Sequence, residues 1–459
     1  MTETRRYDVV VIGGGPGGYP AAVHAAQRGL RVALVEARAL GGECTNYGCI
    51  PTKALRRIAL AASIASSVGR VEIDHGKLIR EAMSVVEKIR SGIEQLLEGY
   101  GVEIIHARAR LRPGRLVEAS GAVLEAGRIV LAPGTEPWSP PGLEPDGNRV
   151  HDNRSFLGLE ELPGRLLIVG GGPIGVEYAD IMARLGVEVS LVELMPRLLP
   201  GMDRDLSLAA RRLLRGLGVR VYTSARIARL ERGRDHVEAV LENGEKIEAD
   251  AVLVATGRRP ATRGIGLEEA GVELDERGYI KVDERMATSV PGVYAAGDAA
   301  GPPLLAHKAV AQSIVAGVNA AGGSAVYRPK AVPMVVYMEP ELAQVGYTLE
   351  EARKAGLDAA EARIRLGGVA SAVMEGSEAG LVKIVYDKRS LKVLGLAAAA
   401  PRASEFVAEA TLAVEKGVTL EELASVVHPH PSVSEALREA AEMALGRPTH
   451  YLLRGKRAR

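Results

Sequence analysis

Two stretches of the chain repeat one pattern of apolar and polar positions. The first covers residues 7–36 and reads YDVVVIGGGPGGYPAAVHAAQRGLRVALVE, and the second covers residues 165–193 and reads RLLIVGGGPIGVEYADIMARLGVEVSLVE. In each stretch an apolar run typical of a buried strand leads into a glycine turn, a helix rich in small residues and a second apolar run that ends in glutamate. The repeated pattern predicts two βαβ units, whose strands run parallel.

The glycines of both turns follow the spacing G-x-G-x-x-G. They are Gly13, Gly15 and Gly18 in the first stretch and Gly170, Gly172 and Gly175 in the second. At this spacing the first glycine allows a tight turn, the second lets the backbone approach a pyrophosphate, and the third lets the helix pack closely on the strand. The phosphates would lie at the helix N-terminus, where amides and the helix dipole favour anions. The two turns therefore predict two dinucleotide-binding sites.

Each stretch closes on an acidic residue, Glu36 or Glu193, which lies 23 positions after the first glycine of its motif. A carboxylate at this position accepts hydrogen bonds from a ribose diol. Glu193 would also repel a ribose phosphate, so the second site is predicted to prefer NAD to NADP. Arg197 lies four positions further on and is the residue that would instead favour NADP.

The rest of the chain adds further strands and then helices. Strand-like runs lie within residues 249–260 and 287–300, and after residue 329 two more strand-like stretches precede helical patterns at 405–416 and 435–445. Strands followed by helices favour a separate α+β domain. The predicted fold class is therefore α/β, with two Rossmann-like dinucleotide-binding domains and a C-terminal α+β domain.

Composition excludes several classes of protein. The 459 residues carry 58 Lys and Arg against 57 Asp and Glu, a formal net charge of +1, so no strong field favours nucleic acid or an anionic membrane. No apolar run reaches the roughly 18 residues that span a bilayer, and the N-terminus lacks the features of a signal peptide. We therefore expect a cytoplasmic protein that binds neither nucleic acid nor a membrane.

The two cysteines are Cys44 and Cys49, too few for a disulfide scaffold or an all-cysteine zinc site. They lie in the stretch GGECTNYGCIPTKAL, residues 41–55, with four residues between them. Pro51 suits the first turn of a following helix, and the N-terminus of that helix would stabilise a thiolate at Cys49. In a reducing cytoplasm such a pair is more often catalytic than structural, although two buried unlinked cysteines are the alternative. The histidines show no spacing typical of a metal site, so no metal is predicted.

Together these motifs resemble the flavoprotein disulfide reductases, and within them the dihydrolipoamide dehydrogenases, over nearly the whole chain. The likeness is carried by GGGPGGY with Glu36, GGECTNYGCIPTK, GGGPIGVE with Glu193, ATGRRP (255–260), YAAGDAAG (294–301), LLAHKA (304–309) and HPHPSVSEA (428–436). The run CxxxxC followed by IPTK is highly specific for the family. The chain departs from the usual pattern at Glu43, at Pro133 and at the pair Gln312-Ser313.

The resemblance implies FAD at the first glycine motif and NAD at the second. It implies an FAD-binding domain at 1–147, an NAD-binding domain at 148–262, a central segment at 263–330 that completes the FAD site, and a dimerisation domain at 331–459. Besides the glycines and acids of the two motifs, the residues expected at the cofactors are Lys53, Gly134, Gly257, Asp298, Ala306 and His307.

The resemblance also implies roles for the cysteines and their neighbours. Cys44 would exchange with the substrate, and Cys49 would face the flavin. Lys53, one helical turn beyond Cys49, would stabilise charge on the reduced ring, with Glu177 holding it as an ion pair.

A base is expected near the C-terminus. The resemblance assigns this role to His430, with Glu435 fixing its tautomer, and the histidine would come from the partner subunit of a homodimer. His428 is the rival base, but its spacing to Glu435 does not match the family's.

The reaction that the resemblance implies is oxidation of dihydrolipoamide to lipoamide through a Cys44–Cys49 disulfide and FAD, with hydride transfer to NAD. The protein partner would be a lipoylated protein of a 2-oxoacid dehydrogenase complex or of a glycine cleavage complex. Two alternatives stay open. One is an NAD(P)H-dependent reductase of another low-molecular-weight disulfide, and the other is a flavin-binding subunit without catalytic activity.

Overall fold

The computed structural model describes residues 3–453, and these divide into two compact units. One unit takes in the described residues up to 58 together with 72–162 and 256–328. The other takes in 59–71, 163–255 and the described residues from 329 onward. Among the residues described, no helix is both long enough and apolar enough to cross a bilayer. The domain boundaries derived from the sequence stay a prediction.

The strands, in chain order, are β1 Thr4–Ile12, β2 Val32–Glu36, β3 Glu103–His106, β4 Arg110–Arg112, β5 Leu116–Ala119, β6 Ala122–Leu131, β7 Thr135–Pro137, β8 Val150–His151, β9 Arg165–Val169, β10 Glu188–Glu193, β11 Arg220–Thr223, β12 Ile227–Arg232, β13 Val237–Leu241, β14 Lys246–Ala249, β15 Ala251–Val254, β16 Arg258–Pro260, β17 Val293–Ala295, β18 Met334–Val336, β19 Glu341–Gly346, β20 Ala359–Arg365, β21 Leu381–Asp387 and β22 Val393–Ala400.

The helices, in chain order, are α1 Tyr19–Ala26, α2 Gly42–Tyr47, α3 Cys49–Ser66, α4 His75–Gly99, α5 Asn153–Phe156, α6 Pro173–Arg184, α7 Arg204–Gly216, α8 Ala306–Ala320, α9 Leu349–Lys354, α10 Ala370–Met374, α11 Ala403–Lys416, α12 Leu420–Ser425 and α13 Glu435–Ala444. Short 3₁₀ helices cover Gly297–Ala300 and Leu366–Gly368.

The first unit is built on a mostly parallel sheet with the strand order β3-β2-β1-β6-β5-β4, and β17 runs parallel to β6. β1 lies between β2 and β6 and is parallel to both. Its residues Val9 and Val11 pack on the face covered by α1 and α8, and Val10 and Ile12 pack on the opposite face. Because both faces of this central strand are buried, its apolar run is continuous rather than alternating.

Helices α1 and α8 pack closely on that sheet. A Cβ on Gly317 would lie 2.5 Å from the carbonyl oxygen of Ala21, so a side chain at this position would force the helices apart. The buried Ser313 hydroxyl accepts a hydrogen bond from the Ala21 amide at 2.9 Å, and buried Gln312 accepts one from the Gly297 amide at 3.1 Å. The departure from the family pattern at Gln312-Ser313 is therefore accommodated by hydrogen bonds to the backbone.

The second unit contains the other βαβ unit. Its strands β11, β10, β9 and β15 are adjacent in that order and run parallel, and α6 connects β9 to β10. The segment between β11 and β15 forms an antiparallel sheet of β12, β13 and β14. Leu166, Leu167 and Ile168 of β9 are almost fully buried, as a central parallel strand requires.

The C-terminal part of the second unit is an antiparallel sheet with the order β18-β19-β22-β21-β20. Helices α11 and α13 pack on it through a core that includes Ala398, Phe406 and Leu437. The two helices agree with the helical patterns at 405–416 and 435–445 to within two residues at each end. The predicted fold class is confirmed: two parallel glycine-turn units and a C-terminal α+β domain.

Candidate active site

The two glycine motifs have the same local geometry. The first glycine of each, Gly13 or Gly170, has a positive φ of +104° or +110°, a conformation that other residues rarely adopt. A Cβ on Gly18 would lie 1.8 Å from the carbonyl oxygen of Gly13, and a Cβ on Gly175 would lie 1.9 Å from that of Gly170. The absence of a side chain on the third glycine of each motif therefore lets the helix lie close to the turn.

The second glycine of each motif faces open space. A Cβ on Gly172 would meet nothing within 4 Å, and the nearest atom to a Cβ on Gly15 would be the Cα of Gly42 at 3.6 Å. In both turns the backbone is thus accessible at the position where a pyrophosphate is expected. The residues present fit a dinucleotide at each turn.

The acidic residue at the end of each second strand is tied to its own glycine turn. Glu36 accepts a hydrogen bond from the Gly14 amide at 2.7 Å, and Glu193 accepts one from the Gly171 amide at 2.5 Å. The other oxygen of each carboxylate accepts from the amide two residues further along the chain, at 2.7 Å and 2.6 Å. An ionised carboxylate has about four acceptor sites, so both side chains keep the capacity to bind a ribose diol.

The cysteine pair spans two consecutive helices. Cys44 lies within the short helix α2, and Gly48 separates this helix from α3. Cys49 is the first residue of α3 and Pro51 lies in its first turn, as predicted. A thiolate at Cys49 is therefore placed where the helix dipole stabilises it.

The two sulfurs lie close together without a bond between them, and the Cys44 thiol is hydrogen-bonded to Cys49. The contact with Cys49, together with burial, raises the pKa of Cys44, while the charge of Lys53 acts in the opposite direction. The raised pKa favours the protonated form of Cys44. Tyr19 lies close enough for Cys44 to add to the effect of burial, and the two together raise the pKa of Tyr19.

A buried polar cluster surrounds Asp298, which the family resemblance places at the flavin. Its carboxylate accepts a hydrogen bond from the Thr135 hydroxyl at 3.1 Å, and burial raises the pKa of Asp298. The ammonium group of Lys308 donates to the carbonyl of Gly297 at 3.2 Å and to that of Gly301, and burial lowers the pKa of Lys308. The cluster thus holds a carboxylate and a cation together out of water.

The other residues expected at the cofactors lie at the ends of elements. Gly134 and Gly257, both with positive φ, immediately precede the paired antiparallel strands β7 and β16. Ala306 and His307 begin α8 after the cap residue Leu305. Their contacts with cofactors stay a prediction.

Lys53 and Glu177 belong to different units. Lys53 is the fifth residue of α3, one turn after Cys49, and its charge acts on Cys44. Glu177 is buried in α6, and its carboxylate accepts a hydrogen bond from the Tyr337 amide at 3.0 Å. The predicted ion pair between Lys53 and Glu177 stays a prediction.

The two histidines of the HPHP stretch have different surroundings. Nδ1 of His430 lies 3.0 Å from Oε1 of Glu435, and the His430 side chain is 71% exposed in the single chain. His428 is buried, with Nε2 3.1 Å from the carboxylate of Glu409 and Nδ1 3.1 Å from the carbonyl of Val426. Both ring nitrogens of His428 are thus occupied by acceptors, and only His430 presents a ring nitrogen to the outside.

Comparison with known proteins gives the family. Residues 7–313 match the model of the pyridine nucleotide-disulphide oxidoreductases, and residues 332–441 match the dimerisation domain of that family. This chain belongs to the pyridine nucleotide-disulphide oxidoreductases. The family implies a flavin and a pyridine nucleotide.

Curated relatives of this pyridine nucleotide-disulphide oxidoreductase match it end to end. A dihydrolipoyl dehydrogenase of Thermus scotoductus is 44% identical over 462 residues, covering 98% of this chain and 100% of the relative. The dihydrolipoyl dehydrogenase of Chlorobaculum tepidum is 40% identical, covering 97% of this chain and 98% of the relative.

Solved structures show the same fold. LpdA of Mycobacterium tuberculosis matches with a TM-score of 0.89 and 30% identity, covering 96% of this chain and 99% of LpdA. The HOCl-induced flavoprotein disulfide reductase RclA of Escherichia coli matches with a TM-score of 0.87 and 29% identity, covering 95% of this chain and 100% of RclA.

Sequence reasoning missed several residues of this oxidoreductase that the structure places around the cysteine helix. Arg258 lies within the quoted ATGRRP motif, but nothing in the local pattern shows that its guanidinium pairs with Glu43 at 3.1 Å. Asn153 and Arg154 carry no sequence signal beyond the cap that starts α5, yet both also contact Glu43. Such contacts join residues more than 100 positions apart and leave no periodic pattern.

Arg197, the residue that would favour NADP, is engaged within its own loop. Its guanidinium donates to the carbonyls of Pro200 at 2.7 Å and Met202 at 2.8 Å, and to the Ser207 hydroxyl at 3.3 Å. Three hydrogen bonds therefore hold the guanidinium against the loop after β10, while Glu193 provides the carboxylate at the end of the strand.

Proposed function

We propose that this chain is an FAD-containing dihydrolipoyl dehydrogenase that oxidises dihydrolipoamide to lipoamide and passes the electrons to NAD. The observation that carries the proposal is the cysteine pair. Cys44 in α2 is hydrogen-bonded to Cys49 at the start of α3, and the positive charge of Lys53 acts on Cys44. Curated relatives at 44% and 40% identity carry the name of this activity.

The two glycine motifs support the choice of FAD and NAD as the cofactors. The first turn, with Glu36, would hold the adenosine pyrophosphate part of FAD, and the second, with Glu193, would hold NAD. The engagement of Arg197 with its own loop supports NAD over NADP, because these hydrogen bonds hold its guanidinium on the carbonyls of Pro200 and Met202. Bound FAD would accept two electrons from the dithiol and transfer them to NAD as hydride.

The reaction starts with proton transfer to His430. Glu435 holds Nδ1, so Nε2 is the nitrogen that can accept the proton of a substrate thiol. In the oxidised protein the substrate thiolate attacks Sγ of Cys44, the Cys44–Cys49 bond breaks, and Cys49 leaves as a thiolate. A mixed disulfide between the substrate and Cys44 results.

The second half of the exchange releases the product. The other substrate thiol loses its proton and attacks the substrate sulfur of the mixed disulfide. The cyclic disulfide departs, and the Cys44 sulfur takes up a proton. In balance, one dithiol is oxidised, and the disulfide between Cys44 and Cys49 gains two electrons and one proton, which Cys44 holds. The second proton stays on His430, and Cys49 is left as a thiolate. The raised pKa of Cys44 is consistent with this outcome, in which Cys44 is protonated and Cys49 carries the charge.

The protein is proposed to act as a homodimer, with His430 of each subunit serving the cysteine pair of the other. Residues 332–441 match the family's dimerisation domain and include both His430 and Glu435. The proposed protein partner is a lipoylated protein of a 2-oxoacid dehydrogenase or glycine cleavage complex, bound in the cytoplasm.

A steady-state assay with dihydrolipoamide and NAD tests the proposal. We expect rapid turnover with NAD and much slower turnover with NADP. Rapid reduction of another low-molecular-weight disulfide by NADH or NADPH, with negligible dihydrolipoamide oxidation, would instead establish the alternative reductase. Anaerobic titration with NADH separates both from a non-catalytic subunit, because only a redox-active pair develops a long-wavelength absorbance band from the Cys49 thiolate beside the flavin.

A further inference from the structure

Glu43 departs from the family pattern and lies directly before Cys44. Its carboxylate is mostly buried and accepts hydrogen bonds from three residues of the same unit. Oε1 accepts from Asn153 Nδ2 at 2.8 Å and from Arg258 Nη1 at 3.1 Å. Oε2 accepts from Arg154 Nε at 2.8 Å and lies 2.6 Å from Arg154 Nη2. The residue next to Cys44 is thus held by two cations and an amide.

The same residues also hold the far end of α2. Nδ2 of Asn153 donates to the carbonyl of Tyr47, the last residue of α2, at 2.8 Å. The guanidinium of Arg154 lies over the Tyr47 ring, 5.7 Å from its centroid. Asn153 and Arg154 are themselves positioned by Asp152, which caps α5 in a capping box. Both ends of α2, the helix that carries Cys44, therefore contact the same short capped helix, α5.

Arg258 connects Glu43 to the polar cluster at Asp298. Its Nε donates to the Thr135 hydroxyl at 2.8 Å, and Nη2 donates to the Thr135 carbonyl at 2.9 Å. The Thr135 hydroxyl in turn donates to Asp298 at 3.1 Å. A continuous set of hydrogen bonds thus joins the residue before Cys44 to the carboxylate expected at the flavin.

Glu43 is ionised under working conditions. Burial acts to raise the pKa of Glu43, but the charge of Arg258 and the hydrogen bonds from Arg154 and Asn153 outweigh burial and lower the pKa below its ordinary value. Loss of this carboxylate would leave two guanidinium groups, only 11% and 21% exposed, without their shared counter-charge.

Helix α2 needs such support because it has only six residues. Isolated helices shorter than about 12 residues are marginal in water. When the disulfide is open, the chain connects Cys44 to Cys49 only through the end of α2 and Gly48. Contacts that hold α2 in place would keep the two sulfurs close together and correctly oriented. This geometry sets the effective concentration of one thiol at the other, and so how readily the dithiol closes to a disulfide.

We propose that Glu43 is a positioning residue for the Cys44–Cys49 couple: through Asn153, Arg154 and Arg258 its carboxylate holds Cys44 in place so that the dithiol closes readily to the disulfide. The inference rests on the proposed function, because it takes the two cysteines to be a redox pair. In this role Glu43 changes the equilibrium between dithiol and disulfide and does not itself contact the substrate or a cofactor.

The test is the midpoint potential of the cysteine pair in the flavin-loaded protein. The protein is equilibrated anaerobically in buffers of reduced and oxidised dithiothreitol, quenched with an alkylating agent, and scored by mass for thiols at Cys44 and Cys49. We expect Glu43→Ala to lower the equilibrium constant for disulfide closure about tenfold, which corresponds to a rise of about 30 mV. Arg154→Ala should shift the potential in the same direction.

A matched control and a double variant separate positioning from general stability. Glu269 also bridges two arginines, Arg110 and Arg112, at 2.5 Å and 3.2 Å, but lies on the surface. Glu269→Ala should leave the potential unchanged. Combining Glu43→Ala with Arg154→Ala should shift the potential by less than the sum of the two single changes, because both variants remove the Glu43–Arg154 ion pair.

An unchanged potential in folded, flavin-bound Glu43→Ala would overturn the proposal. If that variant does not fold, Glu43→Gln keeps the shape while removing the charge, and an unshifted potential there would overturn it equally. A wild-type pair that never closes to a disulfide would overturn the proposed function as well. If the wild-type cysteines do form a disulfide but the Glu43 variants have the same midpoint potential, the proposed role of Glu43 is overturned and the proposed function is not.

Discussion

Nδ1 of His430 lies 3.0 Å from Oε1 of Glu435. The carboxylate is held in turn by the Ser432 amide at 3.0 Å. Burial acts to raise the pKa of Glu435, but the hydrogen bonds from Ser432 and His430 outweigh burial and keep the pKa below its ordinary value. An ionised Glu435 favours the tautomer of His430 with its proton on Nδ1, which leaves Nε2 as an acceptor.

Replacing His430 should therefore remove the base and little else. We expect His430→Gln to reduce kcat for dihydrolipoamide oxidation about 10²–10⁴-fold, the usual contribution of a general base. Electron transfer from NADH to an artificial acceptor needs no thiol proton and should be retained. His428→Gln is the matched control, and an equal loss of dithiol oxidation in both variants would show that His430 is not the base.

The Cys44 pKa should respond to both of its neighbours. Contact with Cys49 is the largest cause of the raised pKa of Cys44, so Cys49→Ala should lower it and abolish dithiol turnover. Adding Lys53→Met should raise the pKa of Cys44 again, because the cation favours the thiolate. The measurement is the alkylation rate of Cys44 against pH. A profile that is the same with and without Lys53 would contradict the proximity of its charge.

Gly175 and Gly172 of the second motif should differ in how far replacement by alanine lowers the stability of the protein. A Cβ at Gly175 would lie 1.9 Å from the Gly170 carbonyl, so Gly175→Ala should destabilise the protein by about 3 kcal/mol or more. Gly172→Ala meets nothing within 4 Å and should leave the melting temperature nearly unchanged while weakening NAD binding. Thermal unfolding and NADH titration check the pair, and equal destabilisation of both variants would contradict the assigned roles.

Nucleotide preference should depend on the charge at the end of β10. Removing that charge with Glu193→Gln should reduce the preference for NAD over NADP by about 10- to 100-fold, because a buried carboxylate no longer repels a ribose phosphate. The readout is the ratio of kcat/KM values for the two nucleotides. Arg197→Ala should weaken the loop after β10 without lowering use of NADP, and a selective loss of NADP activity there would show that Arg197 does bind the phosphate.

His428 should make stability depend on pH. Its hydrogen bond to Glu409 raises the pKa of His428 against the opposing effect of burial. A raised pKa in the folded state contributes stability below the unfolded value of about 6.5, and that contribution is lost as pH rises through the folded pKa. His428→Gln should thus cost roughly 1–3 kcal/mol of unfolding free energy at pH 5.5 and less at pH 9. A difference that does not change with pH would contradict this linkage.

The sequence by itself determined the features that short-range spacing encodes. The apolar run of β1, the three glycines of each turn and the start of α3 at Cys49 all lie within segments of about 30 residues or fewer. Each has a cause that can be read from neighbouring residues: a run of β-branched residues, the absence of a Cβ, or a proline in a first helical turn. These causes act before any tertiary contact forms, so they can be recognised in the bare chain.

Only the tertiary structure decided which polar groups meet. Glu43 and Arg258 are 215 positions apart, and no periodicity relates them. His428 and His430 share nearly the same local sequence, yet Glu409 and Val426 occupy both nitrogens of the first while Glu435 leaves one nitrogen of the second available. A charged group is stabilised by whichever partner the folded backbone brings within hydrogen-bond distance, and that partner is set by packing rather than by neighbouring residues.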